Sequence, residues 1–126
     1  DGNIRFATGD LKTIMAGLAC GEPNTISWDI LRNHATAFVS CPDWVTARGM
    51  RTLGAPEKGD PRVISGESGA VTTGLVETLM LDPEYAELKE LIGLDKTSSV
   101  LCFSTEGDTD PDQYRRIVWE GEYPTC

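Results

Sequence analysis

Apolar residues occur along this chain both in short continuous runs and at helical spacing, a mixture typical of α/β proteins. Four short runs suit strands: Ile4-Arg-Phe-Ala7, Ala37-Phe-Val39, Val63-Ile64 and Val100-Leu-Cys-Phe103. The last run is apolar throughout and has polar neighbours, which favours a strand buried on both faces. Ile117-Val-Trp119 is interpreted as either a final strand or an anchoring tail.

Helices are predicted between these runs in the first half of the chain. One covers about residues 28–33, with Thr25 or Ser27 as its cap, and the next covers about residues 43–53, after a proline that suits a helix start. Residues 11–19 also show helical spacing, although Gly17 and the following Gly21-Glu-Pro23 favour a tight loop.

In the second half of the chain, predicted helices again alternate with the short apolar runs. Val71, Leu75 and Leu79 recur at every fourth position and define the buried face of a helix, for which Ser65 is the expected cap. Asp82-Pro83 starts a further helix, and a short helical turn follows at residues 111–115. The order of elements predicts helices that cover a mainly parallel sheet.

Composition restricts the possible partners. The chain has 126 residues, of which 40% are hydrophobic, so it can bury a core as one domain or a large piece of one. Its formal net charge of −9 argues against binding to nucleic acid or to an anionic membrane. No apolar run approaches the roughly 20 residues that a membrane span needs.

The cysteines and the single histidine give little support for a metal or a nucleophilic triad. No Cys-x-x-Cys pair is present, so no metal site is predicted, and the compartment is interpreted as reducing and cytoplasmic. His34 lies near a predicted helix end, where a terminal or surface role is favoured over catalysis. The cysteines are Cys20, Cys41, Cys102 and Cys126.

The candidate chemistry lies in the polar loop Ser104-Thr-Glu-Gly-Asp-Thr-Asp110, which directly follows the buried apolar run. Open α/β sheets bind ligands at the carboxyl ends of their strands, so this loop is a candidate site. The alternative is an ordinary loop in which Asp108 or Asp110 caps the next helix. Glu67 also has a structural alternative, since a carboxylate in a first turn favours the helix dipole.

Three motifs, in order, resemble the second half of fold-type II pyridoxal-phosphate (PLP) enzymes. Thr13-Ile-Met-Ala-Gly-Leu-Ala-Cys-Gly-Glu-Pro23 resembles the small-residue stretch of serine and threonine dehydratases, and Gly66-Glu-Ser-Gly-Ala70 resembles a helix start in the same enzymes. Phe103-Ser-Thr-Glu-Gly-Asp-Thr-Asp110 resembles a loop of tryptophan synthase β chains. The resemblance implies part of a large three-layer αβα domain with a mainly parallel sheet.

The finer resemblance, which includes Tyr114-Arg-Arg-Ile-Val-Trp119 and covers essentially the whole chain, is to the diaminopropionate ammonia-lyase family. That family converts 2,3-diaminopropionate, a small amino acid, to pyruvate and ammonia by α-proton abstraction and β-elimination. It implies pyridoxal 5′-phosphate as the cofactor and a homodimeric enzyme. The open alternative is another fold-type II PLP lyase, such as a serine or threonine dehydratase.

The resemblance also implies roles for individual residues. The hydroxyl of Ser104, or of neighbouring Thr105, would face the pyridine nitrogen of the cofactor, and Glu67 would lie near the ring and its 3′ oxygen. A neutral hydroxyl leaves that nitrogen unprotonated, so the ring withdraws electrons less strongly than it would beside a carboxylate. Cys20, Gly21 and Glu22 would line the substrate side, where Glu22 could meet a substrate ammonium.

Two parts of the family pattern are missing: the Schiff-base lysine and the glycine-rich phosphate-binding loop. Asp1-Gly-Asn3 has turn composition, and residues 1–126 are expected to be the C-terminal portion of the catalytic domain. No catalytic residue is assigned here, and the chain alone is expected to be inactive and to expose apolar surface that the remainder of the same enzyme would cover. A non-catalytic α/β binding module with a complete sheet is the competing hypothesis.

Overall fold

The described part of the chain is helical. The structure is a computed structural model that describes residues 3–125, so the first two residues of the predicted turn and Cys126 lie outside it. Short 3-10 turns lie at Ala16–Leu18 and Pro83–Tyr85. The five helices of the described part are α1 (Thr25–His34), α2 (Asp43–Gly54), α3 (Glu67–Leu81), α4 (Ala86–Leu91) and α5 (Pro111–Glu120).

The predicted three-layer αβα fold with a mainly parallel sheet is wrong for this chain, because residues 3–125 contain no strand. The hydrogen bonds of a sheet form between neighbouring strands, so a β-prone run needs a partner backbone. The run at residues 100–103 has none here: Leu101 is 78% exposed and Phe103 is 70% exposed. The same observation contradicts the hypothesis of a self-contained α/β module with a complete sheet.

Helix predictions fared better than strand predictions. The helices predicted over residues 28–33 and 43–53 are confirmed as α1 and α2. The predicted helix over residues 11–19 is only a 3-10 turn, and the predicted final strand or tail lies inside α5. α5 starts at the predicted position, where the side chain of Asp110 caps it by accepting from the backbone N–H of Gln113, and it runs on to Glu120, beyond the predicted turn.

The core forms where α2 packs against α3 and α5. Two glycines, Gly49 on α2 and Gly74 on α3, let the α2 and α3 backbones approach closely, since a Cβ on Gly49 would lie 2.7 Å from the backbone nitrogen of Gly74. The buried Thr46 hydroxyl donates to the carbonyl of Glu67, which ties α2 to the first turn of α3. The buried cluster consists of Ala47, Met50, Ala70, Tyr114 and Ile117.

Two arginines of α2 fasten the neighbouring elements. Arg48 donates to Glu77 at 2.9 Å and to Asp82 at 2.5 Å, which fixes the end of α3. Arg51 donates to the carbonyls of Ile117 at 3.0 Å and Tyr123 at 2.9 Å, which holds α5 and the segment after it. Its guanidinium therefore satisfies carbonyl groups that the end of a helix leaves without partners.

Tyr114 provides a test of this packing. Its hydroxyl is buried and has no hydrogen-bond partner among the described residues. An unsatisfied buried hydroxyl costs free energy, so we expect Tyr114→Phe to keep or raise the free energy of unfolding, by about 1 kcal/mol. Urea unfolding of the variant and the unmutated protein measures this. A clear loss of stability would show that the hydroxyl has a partner.

The apolar surface of the chain is extensive. α1 carries Ile26 at 86% exposure and Ile30 at 64%, and Phe38 after it is 68% exposed. Patches of this kind are characteristic of surfaces that another polypeptide covers. None of the helices within residues 3–125 has the length and apolar character needed to cross a membrane.

Candidate functional site

The start of α3 brings together residues that lie far apart in the sequence. The hydroxyl of Ser104 donates to the hydroxyl of Ser65 at 2.8 Å. Ser65 is fully buried, whereas Ser104 is exposed and its hydroxyl can reach a ligand. Glu67, two residues after Ser65, is the first residue of the helix. The predicted loop residue Ser104 therefore lies close to the start of the helix whose first residue is Glu67.

Glycines allow the loop that carries Ser104 to approach the helix start. A Cβ on Gly66 would overlap the carbonyl oxygen of Gly107 and lie 2.9 Å from the Glu106 side chain. A Cβ on Gly69 would lie 3.0 Å from the backbone nitrogen of Thr105. The backbone N–H of Gly66 donates to the carbonyl of Glu106 at 3.1 Å. Any larger side chain at Gly66 would push the loop away from the helix.

Glu106 caps α3 from a distance, a role that the sequence did not reveal. The N-cap residue, Gly66, has no side chain to accept from the first-turn N–H groups. The Glu106 carboxylate replaces it, accepting from the backbone N–H of Ser68 at 2.6 Å. The expected cap, Ser65, does not perform this role and instead contacts Ser104. The sequence feature that could have indicated this capping role is the carboxylate two residues after Ser104 in the candidate loop.

The electrostatic environment of Glu67 favours its protonated form. Only 9% of the residue is exposed, and this burial raises the pKa of its carboxyl group. The backbone N–H of Glu67 itself opposes the shift, while the negative charges of Glu106 and Asp110 raise the pKa further. A carboxyl group of this kind holds a proton more readily than an exposed one.

This pKa shift predicts a pH dependence of stability. Because the pKa of folded Glu67 is raised, its favourable contribution is complete below the ordinary glutamate pKa and is lost as the pH rises through the folded pKa. Glu67→Gln cannot ionise, so its stability relative to the unmutated protein should increase as the pH rises from mildly acidic to neutral. Urea midpoints across that range test this, with exposed Glu57→Gln as the control. Parallel pH profiles for Glu67→Gln and the unmutated protein would contradict it.

The second predicted loop, residues 13–22, is anchored to both α2 and α3. Asp43 at the start of α2 accepts from the Thr13 hydroxyl and from the backbone N–H of Ile14. Ser68 on α3 accepts from the backbone N–H of Gly17 at 3.2 Å. The contact with the start of α3 is therefore made by Gly17.

The three residues predicted to line the substrate side lie just beyond that contact. The Cys20 thiol donates to the carbonyl of Gly17 at 3.8 Å. The carbonyl of Gly21 accepts from the backbone N–H of Ala7 at 2.9 Å, and Glu22 is exposed. Their proximity to a substrate stays a prediction.

The pair of hydroxyl groups at the start of α3 can donate a hydrogen bond to a ligand. A hydroxyl hydrogen can rotate, so Ser65 can donate to Ser104 while Ser104 donates outward to an acceptor such as a ring nitrogen. Glu67 adds a buried carboxyl group on the adjoining turn. In the part of the chain that the structure describes, no group of three or more His, Cys, Asp or Glu side chains could hold a metal ion.

Comparison with known proteins finds strong similarity to diaminopropionate ammonia-lyases. No protein-family model matches it. It is 55% identical over 122 residues to the diaminopropionate ammonia-lyase of Escherichia coli (strain K12), an alignment that covers 97% of this chain and 31% of that protein. The resemblance seen in the sequence is thus confirmed, and the chain spans about a third of the length of the curated relative.

Solved structures agree with the sequence comparison. The E. coli enzyme in complex with an aminoacrylate-PLP azomethine reaction intermediate matches with a TM-score of 0.83 and 57% identity, over 88% of this chain and 29% of that one. The same enzyme in complex with D-serine matches with a TM-score of 0.82 and 54% identity, over 87% of this chain and 28% of that one.

Proposed function

We propose that this chain is the C-terminal portion of the catalytic domain of a PLP-dependent diaminopropionate ammonia-lyase. The proposed reaction consumes 2,3-diaminopropionate and one water and releases pyruvate and two ammonia molecules. The observation that supports it best is the exposed Ser104 hydroxyl held 2.8 Å from Ser65 at the start of α3, in a chain 55% identical to that enzyme.

The residues at the start of α3 fit the proposed cofactor. When bound, pyridoxal phosphate supplies an electron-withdrawing ring that stabilises charge after the α-proton is lost. Ser104 would donate its hydroxyl proton to the ring nitrogen, with Thr105 as the alternative donor. Because the hydrogen-bond partner of Ser104 is the neutral hydroxyl of Ser65, the pair does not hold a proton on that nitrogen. Weak electron withdrawal suits an elimination whose leaving group departs promptly.

Glu67 and the second loop would complete this wall of the site. The raised pKa of Glu67 fits a carboxyl group that donates a proton toward the cofactor's 3′ oxygen. Cys20, Gly21 and Glu22 would face the substrate, and the exposed carboxylate of Glu22 would pair with a substrate ammonium. The free substrate carries at least one ammonium group at neutral pH, so an anionic group on this side favours binding.

The remaining part of the enzyme would supply the groups that this chain lacks. We place the Schiff-base lysine and the phosphate-binding loop in that part, along with neighbours for the exposed apolar runs. We further propose a cytoplasmic homodimer. The unpaired thiols of Cys20, Cys41 and Cys102 support a reducing compartment, and the enzyme family supports the dimer.

The test is a substrate comparison with the parent-length protein. Pyruvate release from 2,3-diaminopropionate should exceed release from L-serine and D-serine, and L-threonine should give little 2-oxobutanoate. The protein should carry the visible absorbance of bound PLP, while the 126-residue chain alone should release no pyruvate. Preference for serine or threonine would identify a dehydratase, and a protein without PLP absorbance would overturn the proposal.

A further inference from the structure

Both predicted site loops meet on one residue of α3, Ser68. Its backbone N–H donates to the Glu106 carboxylate at 2.6 Å, which fixes the loop that carries Ser104. Its side-chain oxygen accepts from the backbone N–H of Gly17 at 3.2 Å, which fixes the loop that leads to Cys20. Along the chain, Gly17 lies 51 residues from Ser68 and Glu106 lies 38 residues from it, so only the fold brings the two loops together.

The contact with Gly17 is close as well as polar. A Cβ on Gly17 would lie 3.0 Å from the Ser68 side-chain oxygen and 3.5 Å from its Cβ. The loop backbone therefore rests directly on this side chain. Ser68 itself is partly buried, whereas its hydrogen bond with Gly17 lies in an exposed position.

We propose that Ser68 is a positioning residue, which sets the substrate-side loop in register with the cofactor-side loop through its hydroxyl. This inference rests on the proposed function of the two loops. The backbone and the side chain of Ser68 have separate roles. The backbone N–H donates to the Glu106 carboxylate whatever the side chain is, whereas the hydrogen bond from Gly17 needs the side-chain hydroxyl. Substitution of the side chain should therefore release the substrate-side loop alone.

The separation of roles predicts a specific kinetic pattern in the parent-length holoenzyme. We expect Ser68→Ala to raise KM for 2,3-diaminopropionate about 10-fold, the order of one net hydrogen bond, while kcat changes less than about 3-fold. PLP absorbance and PLP affinity should be unchanged because the bond to Glu106 remains. Ser68→Thr keeps the hydroxyl and should restore KM, and Thr72→Ala, an exposed residue of the same helix, is the matched control.

A measurement without substrate tests the contact itself. Hydrogen–deuterium exchange in peptides that include Gly17 should become about 10-fold faster in Ser68→Ala, and should stay unchanged in Ser68→Thr and in Thr72→Ala. Peptides covering residues 104–107 should exchange as before in all three variants. If the enzyme proves inactive, the proposed function fails while this exchange experiment still decides the role of Ser68.

A double-mutant cycle completes the test. Gly17→Ala places a methyl group 3.0 Å from the Ser68 oxygen, so it should destabilise the loop in the unmutated protein. Ser68→Ala removes that oxygen. In the Ser68→Ala background, the destabilisation of the loop by Gly17→Ala should therefore be at least halved. Strict additivity of the two substitutions, unchanged exchange in Ser68→Ala, or an equal defect in Ser68→Thr would each overturn the proposal.

Discussion

Replacing Gly74 with alanine should lower the free energy of unfolding by roughly 3 kcal/mol or more, although alanine normally favours helices. The added Cβ would overlap the carbonyl oxygen of Val45 and lie 2.9 Å from the carbonyl carbon of the same residue. It would also lie 3.0 Å from the backbone nitrogen of Gly49. These are backbone atoms, which cannot rotate away as a side chain can. α2 and α3 would have to separate, and the buried cluster around Met50 would lose its packing.

Urea unfolding of the parent-length protein, followed by circular dichroism, measures this loss as a midpoint lowered by about 1 M or more. Gly49→Ala should behave in the same way, because its Cβ would overlap the carbonyl oxygen of Ala70. Gly107→Ala is the matched control, since a Cβ there meets no atom within 4 Å. Equal midpoints for Gly74→Ala and Gly107→Ala would contradict the close contact between the helices.

The second large effect concerns catalysis. We expect Ser104→Ala in the parent-length enzyme to lower kcat about 100-fold, as for other single donors that stabilise developing charge. The substitution removes the proposed donor to the ring nitrogen and leaves the buried Ser65 hydroxyl with only its long contact to the carbonyl of Gly66, at 3.5 Å. The visible absorbance of bound PLP should shift at the same time, because the hydrogen bond to the ring is lost.

Thr105→Ala separates the two candidate donors. If Ser104 is the donor, Thr105→Ala should keep kcat within about 3-fold of the unmutated enzyme, whereas the reverse pattern would assign the role to Thr105. Urea unfolding without cofactor controls for structural damage, since loss of the Ser104–Ser65 hydrogen bond should lower the free energy of unfolding by only about 1–3 kcal/mol. A Ser104→Ala enzyme with normal kcat and unchanged absorbance would remove Ser104 from the cofactor site.

The sequence was informative where a structural signal is local. A polar cap indicated α1, although the capping residue is Asn24 rather than Thr25 or Ser27. A proline indicated α2, and apolar residues four positions apart indicated α3, because these signals act within a few residues of each other. The motif that contains Glu67 and the loop that contains Ser104 identified the family resemblance, which the 55% identity to a diaminopropionate ammonia-lyase confirms. The cofactor roles of Ser104, Thr105 and Glu67 stay predictions.

The predicted sheet failed because strands depend on neighbours. The run at residues 100–103 has the composition of a buried strand, but its hydrogen bonds and its burial must come from other segments. Within residues 3–125 no segment provides them, and Leu101 and Phe103 stay exposed. The helical interpretation of residues 11–19 failed for a related reason, since Asp43 and Ser68 hold that loop by contacts remote in sequence.

By itself, the sequence determined the approximate positions of α1 to α4, the family resemblance and the candidate loops, since each depends on residues that are close together in the chain. Only the tertiary structure decided that Glu106 replaces Ser65 as the cap of α3, that Ser65 supports Ser104 instead, and that Ser68 joins both loops. These contacts link residues about 40 to 50 positions apart. Their formation depends on α2 and α3 packing through Gly49 and Gly74, a closeness that no local pattern encodes.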